Sequence, residues 1–167
     1  MLAAPISDND AERLAALYAL LMLDTPPEER FDKIVSFAAA EFDVPIALLT
    51  LVDQDRQWFK SQLGLSACET SRDVSFCGHA ILKPEIMVIR DALADERFAD
   101  NPLVTGDPFI RFYAGAPLIM PSGHALGTLC IIDTRPRQMD QIELAIFSTL
   151  RDLAVQELST RSEVKHA

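Results

Sequence analysis

The sequence predicts an α+β domain built on a central antiparallel sheet. Three observations predict it. Near-continuous apolar runs rich in β-branched residues, VPIALLTLVD (44–53) and ALGTLCIID (125–133), read as buried strands. Short turn signals beside these runs bring each back as a hairpin. Segments with apolar residues at helical spacing open and close the chain.

The first helix is expected over 10–22, with Leu14, Leu17, Tyr18 and Leu21 on its apolar face. DTPPEERFDKIVSFAAAEF follows as a second helix. Thr25 is its expected cap, Pro26 suits its first turn, and Glu28 completes a capping box. Phe31, Ile34, Val35, Ala38 and Phe42 form its stripe. The strand 44–53 turns at QDR and QWFKSQ returns. A two-residue turn at Gln54-Asp55 sets Leu51 opposite Trp58.

Residues 62–76 read as a polar loop and 77–83 as a short helix halted before Pro84. IMVIRD is a strand. ALADERFADNPLVTGDPF (92–109) is a long connection with a helical turn or two. IRFYAGAPLIM and ALGTLCIID flank PSGH as a hairpin turning at Ser122-Gly123. Counting back pairs Tyr113 with Ile132 and Gly115 with Cys130. Arg111, Tyr113, Gly115, Thr128, Cys130 and Ile132 then share one face. Pro117 cannot donate to a ladder, so it marks an edge or a bulge. A final helix covers 138–160. Its Ile142, Ile146, Leu150, Leu153 and Glu157 make a short seam, for the sheet or for a second copy. Long loops between sheet strands are unusual unless they serve a function, and this chain has two.

The 167 residues are 49% apolar and 24% charged, which suits one domain spanning 1–167. The net charge of −10 repels phosphate backbones and anionic lipid, which argues against nucleic-acid and membrane partners. No stretch approaches the roughly 18–20 apolar residues of a membrane helix. The N-terminus has no basic stretch ahead of an apolar block, and the three cysteines read as reduced thiols, so a cytoplasmic location is expected.

The ordered set RQWFKS, SFCGHAI, DERFADNPLVTG, RFYAGAPL and LGTLCIID…PR resembles bacterial GAF domains. The sensory kind ahead of diguanylate cyclase or histidine kinase modules is the nearest in pattern. The resemblance covers a core of about 14–137. It implies a GAF-like antiparallel sheet of five or six strands, helices on one face, and a loop-roofed pocket on the other. It further implies a non-catalytic regulatory module that binds a small molecule or senses redox state. Loops 62–82 and 92–109 would roof its pocket. Terminal helices 10–22 and 138–160 would pair in a homodimer, with a separate effector protein as a possible partner. No cyclase or kinase sequence follows Arg137, so the module is expected either to act on a separate protein or to be a fragment of a longer chain.

Within the resemblance, Cys77, His79, Phe98, Asn101, Arg111, Tyr113 and Cys130 are the expected ligand-binding residues, for a ligand and cofactor that stay unidentified. Phe112 would join Phe98 and Tyr113 as an apolar wall. No catalytic or metal residues are assigned. As nucleophile and base, Cys77 and His79 would need a third orienting group, and on a helix residues two apart diverge by about 200°. In the plainer reading Phe76 anchors the loop, Cys77 is a small apolar residue, and His79 bonds a neighbouring loop. Cys68, Cys77 and His79 supply at most three metal ligands, where structural zinc takes four. The alternative is a thiol enzyme of the free methionine sulfoxide reductase type using Cys77. The cyclic-nucleotide and bilin signatures of the superfamily do not occur, although Arg72, Arg97 and Arg111 could supply local charge for an anion. Arg97 can pair with Asp91 or Asp95.

Overall fold

The computed structural model describes residues 2–166, with side chains from 2 to 160. Elements run in the order α1 (Asp10–Ala19), α2 (Glu29–Phe42), β1 (Ile46–Val52), β2 (Arg56–Leu63), β3 (Glu69–Ser71), α3 (Phe76–Ala80), β4 (Met87–Ile89), α4 (Pro102–Thr105), β5 (Phe112–Ile119), β6 (Ala125–Asp133) and α5 (Gln141–His166). The strands form one six-stranded antiparallel sheet in the order β3-β2-β1-β6-β5-β4.

Period-two alternation divides the sheet between two cores. Leu49, Leu51, Ala114, Ala116, Leu118, Leu129 and Ile131 pack under α1, α2 and α5. Ile46, Leu48, Tyr113, Cys130 and Ile132 face the other way, under α3 and the connection that follows β4. The expected registers hold: Leu51 lies opposite Trp58, Tyr113 opposite Ile132, and Gly115 opposite Cys130. The β5–β6 register shifts between Pro117 and Ile119, where a ladder donor is missing. Gly123 supplies the positive φ of the hairpin turn, +91°.

Several local expectations are corrected. α2 starts at Glu29 without a side-chain cap. Thr25 and Glu28 serve a buried cation instead. β2 carries a bulge, with Leu49 opposite Ser61 and Thr50 opposite Phe59, so Lys60 is the extra residue. Its ammonium is sealed from solvent and bonds Glu28 at 2.7 Å, Thr25 Oγ1 at 2.8 Å and Pro26 O at 2.6 Å. In α1 the buried face is Asp10, Arg13 and Leu17, whereas Tyr18 and Leu21 are exposed. The loop expected over 62–76 contains β3, a short edge strand on β2, and a turn of 3-10 helix at Arg72–Val74.

α5 lies on the sheet through Phe147, Leu150, Ala154 and Leu158. Ile142 and Leu153 of the expected seam point to solvent, at 73% and 45% exposure. Glu157 is held by Arg30 of α2 at 2.9 Å. The IID…PR motif is a clip at the end of β6. Arg137 donates to Asp133 Oδ2 at 3.3 Å and to Asp43 O, at the left-handed residue ending α2, at 3.0 Å. Among the described residues, no helix is long and apolar enough to cross a membrane.

Candidate functional site

α3 is positioned by its own sequence. Ser75 caps it, its Oγ accepting from Gly78 N at 2.8 Å while donating to Gln57 Oε1 at 2.9 Å. Phe76 then turns into the second core and stacks on Phe98, with centroids 4.1 Å apart and planes 10° from parallel. Cys77 follows at 2% exposure and meets the sheet over β5 and β6.

Two hydroxyls aim protons at Cys77 Sγ: Tyr113 Oη from 3.1 Å and Thr128 Oγ1 from 3.0 Å. Thr50 Oγ1 stands 3.1 Å from Thr128 Oγ1; Thr128 spends its proton on sulfur, so Thr50 is the donor there. The Cys130 thiol completes the cluster within hydrogen-bonding reach. Burial pushes the Cys77 thiol up. Hydrogen bonding from Cys130, Thr128 and Tyr113, with the Thr50 hydroxyl beside them, outweighs it and brings Cys77 to about 7. Burial pushes Cys130 well above the ordinary thiol value, and its neighbour Cys77 adds to the shift. Tyr113 is raised well above the usual phenol range by the same two causes.

Beside this cluster lies a cavity of about 230 Å³. Leu48, Phe59, Tyr113, Cys130 and Ile132 of the sheet and Phe76 and Cys77 of α3 line it. Leu65, Ser66 and Ala67 close it from one long connection; Leu103, Asp107, Pro108 and Ile110 close it from the other.

Three of the seven expected site residues, Cys77, Tyr113 and Cys130, are therefore brought together on the cavity wall. Phe98 stands one layer behind, against Phe76, with the Arg97 guanidinium over its ring at 5.0 Å. The other three are engaged elsewhere. His79 Nε2 bonds Leu2 O at 3.0 Å, its ring edge-on to Phe98, and burial lowers its pKa. Asn101 caps α4 through Leu103 N at 2.8 Å and donates to Val74 O at 3.1 Å, tying the two loops together. Arg111 donates to Val104 O and Ile110 O. Phe112 faces the helix layer, not the cavity, because alternation turns it away from Tyr113.

Arg72 and Arg97 are likewise committed, to Asp10 and Asp95. No group of three or more His, Cys, Asp or Glu is placed to hold a metal among the described residues. Sequence reasoning put Thr128 on the right face but missed its role, and missed Thr50. The signal was the β1–β6 pairing of Thr50 with Thr128, which joins strands 78 residues apart.

The chain is 43% identical over 137 residues to a cyclic di-GMP phosphodiesterase of Pseudomonas aeruginosa. That match covers 82% of this chain and 23% of the relative, so the chain spans less than a quarter of its length. Among solved structures, the GAF domain of a phosphoenolpyruvate-protein phosphotransferase from Coxiella burnetii superposes with a TM-score of 0.67. It is 18% identical and covers 95% of this chain and 99% of that one. A free methionine-R-sulfoxide reductase from Neisseria meningitidis, in complex with its substrate, gives 0.65 at 16% identity, covering 99% and 98%. At such identities the two structures share the fold with this chain. The family model for the GAF domain matches residues 26–158, and with a six-stranded sheet carrying helices on one face and a roofed cavity on the other, the chain belongs to the GAF domain family.

Proposed function

We propose that the chain is a cytoplasmic, non-catalytic regulatory module of bacterial signal transduction. It takes a small, neutral, mostly apolar molecule into the cavity over Cys77 and Tyr113. The observation that carries this reading is the cavity itself. Its walls are mostly aliphatic and aromatic, with the Cys77 and Cys130 thiols, the Tyr113 phenol and the polar side chains of Gln57, Ser66, Thr70 and Asp107 among them. The arginines nearest in sequence are spent on carboxylates and carbonyls, so a phosphate group would find no free guanidinium there. About 230 Å³ suits a molecule well below drug size. Occupancy orders the two roofing connections, and Asn101, which bonds one to the other, passes that order between them. α1 and α5 pair with a second copy and relay the change to an effector.

Native mass spectrometry of the purified protein tests this. A co-purified small molecule is expected in the wild type and absent from Leu65→Trp, whose indole fills the cavity. Protein free of any adduct, whose Phe76 and Tyr113 resonances also ignore small neutral aromatic probes, rules the reading out.

A second reading rests on the donors around Cys77. A hydroperoxide would oxidise the Cys77 thiolate to a sulfenic acid, releasing water or alcohol. Attack by the Cys130 thiol would then form a disulfide and release water. In the enzymatic version, free methionine sulfoxide is the oxidant and methionine the product. Thioredoxin-dependent turnover that disappears in Cys77→Ser would replace the binding reading with this one.

A further inference from the structure

A second pocket, of about 210 Å³, shares no lining residue with the cavity over Cys77. It is walled by the N-terminal end of α1, the turn between α3 and β4, and the β5–β6 hairpin. Arg13 lines it and is 5% exposed. Its Nε donates to Asp10 Oδ1 at 2.8 Å, and its Nη1 makes a 3.5 Å contact with Ala125 O. Its Nη2 is buried without a hydrogen-bond partner.

The charge balance around Arg13 is uneven. Arg72 takes both oxygens of the same Asp10, each at 3.0 Å. Two guanidinium groups thus share one carboxylate in a buried cluster, so among the described ion pairs Arg13 has no carboxylate of its own. A buried charge of this kind calls for a counter-charge. Lys83 and His124 line the same pocket, as do Ser7 and Asn9. Asn9, the residue preceding α1, makes no side-chain capping bond, so the first-turn dipoles of this ten-residue helix face the same end. All this sits in a chain whose net charge is −10.

We propose that this pocket is a binding site for a small oxyanion group, held by the Arg13 guanidinium from below and by Lys83 and His124 from the rim. It is separate from the cavity over Cys77. Its ligand would bridge α1, the turn after α3 and the β5–β6 hairpin.

The test uses inorganic phosphate and acetate as probes at constant ionic strength. The readout is the Arg13 Nε–Hε resonance in wild-type protein. Saturable movement is expected with at least one probe; preference for phosphate assigns a tetrahedral anion, and preference for acetate a carboxylate. Lys83→Gln, an exposed change that leaves the fold intact, should weaken binding about fivefold. Arg13→Met should abolish it, and if that variant does not fold, Lys83→Gln decides. No saturable response to either probe, or undiminished affinity in Lys83→Gln, overturns the site.

Discussion

Tyr113 Oη reaches Cys77 Sγ, 3.1 Å away, only because residue 115 has no side chain. A Cβ at Gly115 would run into the Tyr113 phenol, approaching Cζ to 2.7 Å. The ring folds along its own strand, over the glycine, and delivers its hydroxyl to the cysteine of α3. Both cores depend on such fits, but this one also sets the chemistry of the cavity wall.

Removing the hydroxyl should raise the Cys77 midpoint. Burial favours the neutral thiol, and donated hydrogen bonds offset it to reach about 7. Tyr113→Phe deletes one donor, so less thiolate is present at neutral pH. Ultraviolet thiolate absorbance in a Cys68→Ser, Cys130→Ser background reads Cys77 alone and compares the two proteins. A midpoint indifferent to the phenol would mean that the contact does not stabilise the anion.

Gly115→Ala should disturb the same contact from the other side. The added methyl overpacks a closed region, at a cost of about 1–3 kcal/mol and a fall in Tm of roughly 3–10 °C. Alkylation of Cys77 should change with it, as the ring swings off the sulfur. A variant with wild-type melting and wild-type alkylation would show that the ring has room to spare.

Stability should depend on pH through the same thiol. The folded-state Cys77 pKa of about 7 lies below its ordinary value of 9.0. The folded protein therefore sheds this proton first. Its contribution is complete above pH 9, shrinks as pH falls, and is gone below about 7. Cys130 and Tyr113 are shifted upward, so they act in the opposite sense, above their ordinary values of 9.0 and 10.0. Urea unfolding of wild type and Cys77→Ser should diverge in favour of the wild type between pH 7 and 9. Curves that stay parallel across that window would refute a depressed thiol.

What could be read from residues alone follows from the range of the interaction. The Tyr113–Ile132 register was legible because one tight turn and a period of two determine it locally. Tyr113 and Cys130 met at the cavity as the alternation required, with Cys77 of α3 set over them. The Lys60 bulge was not legible: the lysine looks solvent-facing until Glu28 and Thr25, more than thirty positions earlier, are brought over it. β3 escaped notice because three polar residues on a sheet edge carry no apolar rhythm. His79 looked functional by its closeness to Cys77, yet α3 points the two side chains apart.

α5 offers the sharpest contrast between neighbouring positions. Its apolar residues form two stripes, and the buried one includes Ala154, a residue small enough to be passed over in reading the pattern. Leu150 belongs to that stripe at 7% exposure, so Leu150→Glu places a carboxylate against Phe147 and the sheet. It should cost about 3–5 kcal/mol and unfold the domain, whatever its oligomeric state. Leu153, 45% exposed, and Ile142, 73% exposed, lie on the open side of the helix. If α5 pairs with a second copy, Leu153→Glu should yield a folded monomer, with wild-type far-ultraviolet dichroism and half the sedimentation mass. A Leu153→Glu protein that sediments as the wild type does would remove this face of α5 from the proposed dimer.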